Sequence, residues 1–289
     1  MGRSRYEMTE RKIRQWTAEG RGTGRGSSYR PWLTIHDVPT HGLAVRVKGS
    51  TTGRIHHLLS GVERAVFLEC DWSAAVIDIR EQMPLPRPAT RLIASQMGVR
   101  HPRQRSVDVV MTTDLLLLVK GQDTGLSFDL PSGIGRRWIA LSVKNIDQDL
   151  SSSDLDKLEI ERRYWKQRNV EWRLIFKSDM PEKRWLKLMW LHEWLTLDFM
   201  PETEASLFRK MCGVVISFLA DAKDSTAGAF TARIDGEQGW PEGTTLSALR
   251  HLAANRRILT STDSLYDAWG PLSQFQLPSA FHTLERSAA

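Results

Sequence analysis

The length, composition and cysteine content of the chain limit the class of protein it can be. Its 289 residues are 41% apolar, enough for one large domain or two ordinary domains with separate cores. The two cysteines, Cys70 and Cys212, exclude a disulfide framework, and no CxxC pair or Cys/His cluster indicates zinc. The sequence has neither a signal peptide's apolar core nor the roughly 20 apolar residues of a membrane-spanning helix. We therefore expect an intracellular protein in a reducing cytosol.

Part of the formal net charge of +6 is concentrated near the N-terminus. Residues 1–30 contain eight Arg or Lys residues and three Glu residues. A basic arm of this kind commonly binds along a polyanion such as a nucleic acid. A solvated tail without a partner fits the same composition equally well. The stretch "GRGTGRGSS", residues 20–28, lacks the GxxxxGK[ST] spacing of a phosphate-binding loop and a preceding strand. Residues 1–28 are therefore predicted to form a flexible basic arm.

Periodic apolar residues predict the elements that follow the arm. Residues 55–71 carry them at a helical spacing, with Glu63 at the margin of the buried face. The segment "AAVIDIREQMPL" is typical of a strand and ends in a proline cluster. "ATRLIASQMG" predicts a short helix that ends at Gly98, a residue favoured just after helices. The basic loop "VRHPRQRSVD" then leads to the apolar run after Asp114.

Two further strands and a helix complete this part of the chain. Residues 138–144 form one apolar strand, and "SSSDLDKLEIERRYWKQRNV" is an amphipathic helix with Ser153 or Asp154 as its N-cap. The apolar residues of "VEWRLIFKSD" alternate as in a half-buried strand. The order of helix, strand, strand, strand, helix and strand indicates an α/β domain with a mixed sheet.

After Asp179 the pattern becomes mainly helical. "PEKRWLKLMWLHEWL", "PETEASLFRKMCGVVISFLADA" and "TLSALRHLAANR" predict three helices, and "RILTSTD" and "QFQLP" predict short strands. Three helices with a small β element indicate a winged-helix-like domain. We place the domain boundary between residues 179 and 180, so that the second domain covers residues 180–289.

Two carboxylates and a lysine are the candidate catalytic residues. Ser142 and Lys144 lie on the same face of their strand, because side chains alternate along a strand. Asp114 lies at the start of the preceding strand, and Glu63 lies at the edge of a buried helix face. This arrangement is typical of metal-dependent phosphodiester hydrolysis, because two carboxylates hold one or two Mg²⁺ or Mn²⁺ ions through hard oxygen ligands. Judged by spacing alone, however, solvent-exposed charges without a catalytic role remain the commoner explanation.

Further residues near the two carboxylates complete the predicted site. The backbone carbonyl of Val143 offers a further oxygen ligand, and Lys144 would position the attacking hydroxide or offset charge on the phosphate. Arg80 and Gln82 share a strand face and would support the metal ligands, although a sheet-surface ion pair explains them equally well. Five arginines flank Asp114 in the sequence, and a nuclease site would make them DNA-backbone contacts: Arg87, Arg91, Arg100, Arg103 and Arg105.

Five segments together resemble the TnsA family, the endonuclease subunit of heteromeric transposases. In chain order they are "YRPWLTIHDVP", "KGSTTGRIHHLLSGVER", "VIDIREQMPL", "VMTTDLLL" and "KLEIERRYW". The resemblance covers residues 29–179 and implies a restriction-endonuclease-like nuclease domain of the PD-(D/E)xK kind. It also implies Mg²⁺-dependent cutting of the non-transferred strand at the 5′ ends of a transposon during cut-and-paste transposition.

The resemblance assigns roles residue by residue. Glu63 and Asp114 match the family's metal-binding carboxylates, and Lys144 matches its lysine. Ser142 departs from the glutamine that many members have two residues before the lysine, which leaves the number of bound metal ions open. Glu161 matches an additional acidic residue near the family's site, with Glu159 as the alternative.

The partners that the resemblance implies are macromolecular. They are transposon-end DNA, a TnsB-type transposase that cuts and joins the 3′ ends, and a TnsC-type AAA+ ATPase regulator bound by the C-terminal domain. The expected setting is a bacterial cytoplasm, close to the nucleoid, without a membrane. Two alternatives remain at this point: a non-catalytic DNA-binding adaptor, and a stand-alone restriction or repair nuclease.

Overall fold

The chain divides into two compact units that meet in sequence at Met180 and Pro181, next to the predicted boundary. The computed structural model describes residues 7–39, 44–121, 126–128, 135–145 and 150–278. The first unit has a mixed α/β fold, and the second is mainly helical. Within the described ranges, no helix is long and apolar enough to cross a membrane. Both cysteines are buried and free.

The first unit places its helices around a mixed sheet of four strands. Its described helices are α1 (Glu10–Ala18), α2 (Gly61–Trp72), α3 (Arg87–Met97) and α4 (Ser152–Lys166). Its described strands are β1 (Val45–Lys48), β2 (Ile55–Leu58), β3 (Val76–Pro84), β4 (Arg103–Gln104), β5 (Val107–Asp108), β6 (Thr112–Lys120), β7 (Arg136–Lys144) and β8 (Glu171–Phe176). The pairs β1–β2 and β4–β5 form separate two-stranded ribbons.

The sheet has the strand order β3-β6-β7-β8. The first two pairings are antiparallel, and β7 and β8 are parallel because α4 carries the chain back between them. Leu116 and Ala140 pack on one face against residues of α3 and α4. Leu115 and Leu117 point to the opposite face, because side chains alternate along a strand, and are fully buried there. The mixed sheet and its helices confirm the predicted α/β class.

The predicted helix over residues 55–71 is wrong in its first six residues. Ile55–Leu58 form β2, which pairs antiparallel with β1, and α2 begins only at Gly61. In β2, His56 and Leu58 are buried while Ile55 is exposed. Over only four residues, the spacing of apolar residues fits a helix as well as a strand, so the sequence pattern could not separate the two. Likewise, the N-cap of α4 is Ser151 and not Ser153 or Asp154, because the Ser151 hydroxyl accepts a hydrogen bond from the backbone N–H of Asp154.

The N-terminal segment, residues 7–39, is folded over residues 7–28, the described part of the predicted flexible arm. Helix α1 buries Ile13 and Trp16 in an apolar cluster with Trp32. The glycine-rich stretch turns back on itself and packs against the end of β3, where a Cβ built on Gly22 would lie 2.1 Å from Cγ of Pro84. Glycine therefore serves close packing here and not mobility. Residues 1–6 of the predicted arm lie outside the described residues.

This packing predicts unequal effects of two similar substitutions. Gly22 and Gly26 both have positive φ, of 79° and 51°, but a Cβ on Gly26 would meet nothing within 4 Å. We expect Gly26→Ala to lower the free energy of unfolding by about 1–2 kcal/mol, the cost of a left-handed alanine. Gly22→Ala adds a clash and should cost roughly 2–4 kcal/mol. Urea unfolding of both variants would measure the difference, and equal losses would contradict the packing of this segment.

The second unit contains four helices and a two-stranded ribbon among its described residues. They are α5 (Glu182–His192), α6 (Glu202–Ala220), α7 (Ala227–Gln238) and α8 (Thr244–Ala254), followed by β9 (Leu259–Thr260) and β10 (Phe275–Gln276). Helix α8 contacts the other three helices. The sequence prediction missed α7, because "AGAFTARIDGEQ" has few large apolar residues at helical spacing. Its ends carry ordinary signals, with Thr226 as N-cap and Gly239 in the left-handed conformation after it.

Candidate active site

Four of the predicted residues line one cavity of about 280 Å³ at the end of the sheet. Asp114 comes from β6, Ser142 and Lys144 come from β7, and Glu161 comes from α4. Ser142 and Lys144 face the same cavity, as their spacing predicted. The parallel return from β7 through α4 to β8 is what brings Glu161 over this end of β7. The cavity is therefore assembled from distant parts of the sequence.

Asp114 is fixed in the cavity wall by the neighbouring strand. Its Oδ2 accepts a hydrogen bond from the backbone N–H of Val143 at 2.7 Å. The N–H and C=O of one strand residue point to the same side, so the Val143 carbonyl is also directed toward β6. Burial raises the pKa of Asp114 above its ordinary value, while the positive charge of Lys144 and the Val143 hydrogen bond oppose the rise.

Glu63 reaches the same end of the sheet from the first turn of α2. The sequence "SGVE" is a capping-box signature, and the Ser60 hydroxyl accepts a hydrogen bond from the Glu63 backbone N–H. The Glu63 carboxylate reaches back to the N–H of Leu59 at 3.0 Å. Burial raises the pKa of Glu63 to about 8, and the negative charge of Asp114 adds to the rise. Glu63 is buried and is not part of the cavity wall formed by the described residues.

The two carboxylates meet through Gln82 of β3. Its Nε2 lies 3.4 Å from Oε2 of Glu63 and 3.4 Å from Oδ1 of Asp114. Gln82 therefore stands at the site, whereas Arg80 pairs with Asp78 and lies over the ring of Trp138. In the described part of the chain, no group of three or more His, Cys, Asp or Glu residues is arranged to hold a metal ion. The candidate ligands are thus two side chains, Glu63 and Asp114, and the Val143 carbonyl.

Glu161, and not Glu159, faces the site. Its Oε1 accepts a hydrogen bond from the Thr113 hydroxyl at 2.6 Å, and Ser142 and Trp172 are its other side-chain partners. Burial and the negative charge of Asp114 raise the pKa of Glu161 to about 7. Glu159 points away and forms ion pairs with Arg162 and Arg163 on the same helix.

Two tryptophans support this carboxylate, and sequence reasoning missed both. The indole Nε1 of Trp165 donates to the Thr113 hydroxyl at 2.7 Å, and that of Trp172 donates to the Ser142 hydroxyl at 3.0 Å. Each hydroxyl in turn is a side-chain hydrogen-bond partner of Glu161. The spacing of Trp172 placed it in a strand but gave no sign of its partner, because such contacts depend on how α4 and β8 pack against the sheet.

Four of the five arginines proposed as DNA contacts are held in ion pairs. Arg91 and Arg103 both contact Asp108, while Arg87 and Arg105 contact acidic residues of the N-terminal segment, Glu10 and Glu7. Arg100 is exposed. The role of these arginines in DNA binding stays a prediction.

Comparison with known proteins assigns the chain first to a class. Residues 73–177 match the family described as "TnsA-like endonuclease N terminal", and residues 179–261 match "TnsA endonuclease C terminal". The chain is therefore an endonuclease. A relative from Escherichia coli, "Transposon Tn7 transposition protein TnsA", is 34% identical over 255 residues, which cover 88% of this chain and 87% of the relative. With this similarity along nearly its whole length, the chain belongs to the TnsA family, as its sequence motifs indicated.

Proposed function

We propose that the chain is the endonuclease subunit of a heteromeric transposase and hydrolyses the non-transferred strand at the 5′ ends of a transposon. The observation that carries the chemistry is the meeting of Asp114, Lys144 and Glu161 in one cavity, with Glu63 linked to Asp114 through Gln82. The similarity to a Tn7 transposition protein supports the biological setting. A bacterial cytoplasm near the nucleoid is the setting that follows from this role.

The residues present fit a hard divalent cation such as Mg²⁺ or Mn²⁺. The donors are all oxygen atoms: the carboxylates of Glu63 and Asp114 and the carbonyl of Val143. Mg²⁺ is typically bound by one or two carboxylates and keeps several waters or substrate oxygens, so a site with two carboxylates is sufficient. When bound, the cation would polarise the scissile phosphate and lower the pKa of its water.

The chain's own residues would orient the reacting groups. Lys144, in the cavity wall beside Asp114, would hold the attacking water or offset the charge that develops on the phosphate oxygens. Ser142 and Glu161, which line the same cavity, are hydrogen-bond partners and would hold each other in place. With Ser142 engaged by Trp172 and Glu161, we assign it a supporting role and expect it to bind no cation directly.

The second unit is proposed to hold the partners. We propose a winged-helix-like arrangement for this unit, in which helices α6, α7 and α8 are followed by the β9–β10 ribbon. We assign to this unit the contact with a TnsC-type ATPase, while a TnsB-type transposase would process the opposite strand. Binding of the regulator by residues 1–180 alone, as tightly as by the full chain, would contradict this assignment.

A strand-mapping assay tests the proposed function. The full-length protein is incubated with DNA carrying transposon ends, the partner transposase, the ATPase regulator and Mg²⁺, and each nick is located at nucleotide resolution. We expect nicks at the 5′ ends of the element that require this chain and disappear when the cation is chelated. Nicks at the 3′ ends should require the transposase instead.

Each alternative gives a different pattern in the same assay. Efficient cutting by this chain without the transposase would indicate a stand-alone nuclease. Normal DNA binding with unchanged nicking when the chain is omitted would indicate an adaptor. Either result would replace the proposed function.

A further inference from the structure

Gln82 occupies the space between the two candidate metal-binding carboxylates. Its side-chain amide has two N–H groups, and its Nε2 lies within 3.4 Å of an oxygen of Glu63 and of Asp114. Both distances are longer than the usual 2.7–3.2 Å range for N–H···O hydrogen bonds, so the amide bridges the carboxylates loosely. The side chain is buried, with 2% of its surface exposed. This bridge links the ligand from α2 to the ligand from β6.

The orientation of the amide follows from its neighbours. Both carboxylates must be ionised to bind a cation, and an ionised carboxylate only accepts hydrogen bonds, so in that state the NH₂ group faces them. On the other side, the Thr112 hydroxyl donates to Oε1 of Gln82 at 2.9 Å. With the NH₂ group toward the carboxylates, Thr112 holds the opposite end of the amide.

The backbone of Gln82 is held in a conformation that glutamine rarely adopts. Its φ is +49°, inside a strand where Glu81 opposes Leu115 and Met83 opposes Thr113, so Gln82 faces Asp114 across the strand pair. The Gln82 carbonyl accepts a hydrogen bond from the backbone N–H of Trp32 in the N-terminal segment at 3.2 Å. Unfavourable backbone conformations of this kind persist where the surroundings hold them and often occur at functional sites.

We propose that Gln82 is a positioning residue, which holds the Glu63 and Asp114 carboxylates at the separation and orientation a divalent cation requires. The N-terminal segment braces it through Trp32, and Thr112 orients its amide. This inference rests on the proposed function, because it assigns Gln82 to the support of the same cation site. Partners of this kind that orient metal ligands typically change metal affinity by 10–100-fold when they are replaced.

Mn²⁺ binding to the full-length protein tests the role of Gln82 without an activity measurement. The free Mn²⁺ remaining at each protein concentration is read from its electron paramagnetic resonance signal. Gln82→Asn keeps an amide and a residue that tolerates positive φ, but its shorter side chain cannot span both carboxylates. We expect its Kd for Mn²⁺ to rise about 10–100-fold. Thr112→Val, which removes the orienting hydroxyl, should raise the Kd less, and it gives an independent reading should Gln82→Asn fail to fold.

Two reference variants separate failure of this inference from failure of the proposed function. Thr90→Val removes a buried hydroxyl that contacts His101 in the same unit, and it should bind Mn²⁺ as the wild type does. Asp114→Ala should lose binding. If Asp114→Ala loses binding while Gln82→Asn and Thr112→Val bind normally, the positioning role is wrong and the proposed site stands. If the wild type binds no Mn²⁺, or Asp114→Ala binds equally well, the proposed cation site itself is wrong.

Discussion

Replacing Asp114 with alanine is expected to lower the rate of strand cleavage by at least about 1000-fold. Asp114 is the one proposed side-chain ligand in the wall of the cavity, and its second oxygen is oriented by Val143. Cation-assisted stabilisation of charge is worth several kcal/mol, and each 1.36 kcal/mol corresponds to a factor of ten in rate. The measurement is single-turnover cleavage of a transposon-end substrate with saturating Mg²⁺ and the partner transposase.

Asp154 provides a matched control for this substitution. It lines the same cavity, but its carboxylate accepts from the Ser151 hydroxyl and pairs with Lys157 at the start of α4. Asp154→Ala also removes one negative charge from the cavity, and we expect its rate to stay within about threefold of the wild type, a change of under 1 kcal/mol. Comparable losses in both variants would mean that the charge of the cavity matters and that Asp114 has no specific role.

Replacing Glu81 with alanine is expected to lower the free energy of unfolding by about 3–5 kcal/mol, because it leaves a buried guanidinium without its partner. Glu81 is fully buried on the face of β3 opposite Arg80. Both of its oxygens accept hydrogen bonds from Arg54, and Oε2 lies 2.8 Å from Nδ1 of His56. Chemical denaturation at neutral pH measures the loss.

The lowered pKa of Glu81 predicts how the stability of the fold depends on pH. Hydrogen bonds from Arg54 and His56 outweigh the effect of burial and lower the pKa of Glu81 from 4.5 to about 2. A carboxyl group with a lower pKa in the folded state stabilises that state fully above the unfolded pKa. This contribution should therefore be present above pH 4.5 and should fall away as the pH drops toward 2. Denaturation curves between pH 7 and pH 2 would show a steeper loss for the wild type than for Glu81→Gln.

Glu159 is the control for this prediction, because its pKa is also lowered to about 2. Its partners are Arg162 and Arg163 on the exposed side of α4, where solvent screens the interaction. Exposed ion pairs contribute about 0–1 kcal/mol, so Glu159→Gln should change stability little at any pH. Equal losses from Glu81→Gln and Glu159→Gln would show that burial does not decide the contribution of these pairs.

Much of the fold was predictable from the sequence because the nuclease sheet follows simple periodicity. The strands β3, β6, β7 and β8 carry apolar runs or alternations that burial requires, and Gly98 closes α3 as predicted. The errors occurred where a short pattern fits two structures, as in β2, or where composition was taken for mobility, as in the glycine-rich stretch. Composition alone cannot distinguish a glycine that allows close packing from a glycine that allows the chain to move.

The candidate site was predictable in its residue types but not in its supporting contacts. Alternation placed Ser142 and Lys144 on one face, and the structure brings both to the cavity with Asp114. The choice between Glu159 and Glu161 required the rotation of α4 about its axis, since the two side chains point about 160° apart around the helix. The bridging position of Gln82 required the left-handed backbone at that residue, which no periodic pattern reveals.

The ion pairs that join the N-terminal segment to α3 and to the basic loop change what a nucleic acid would encounter there. Arg87 and Arg105 already neutralise Glu10 and Glu7, so a phosphate group approaching either arginine must displace an internal anion. The exchange releases fewer small ions into solution than two free arginines would, because these cations attract few counterions while they are paired. If Arg87 and Arg105 contact DNA as predicted, the N-terminal segment would compete with the DNA phosphates for them, and only a strand that makes enough additional contacts would displace it.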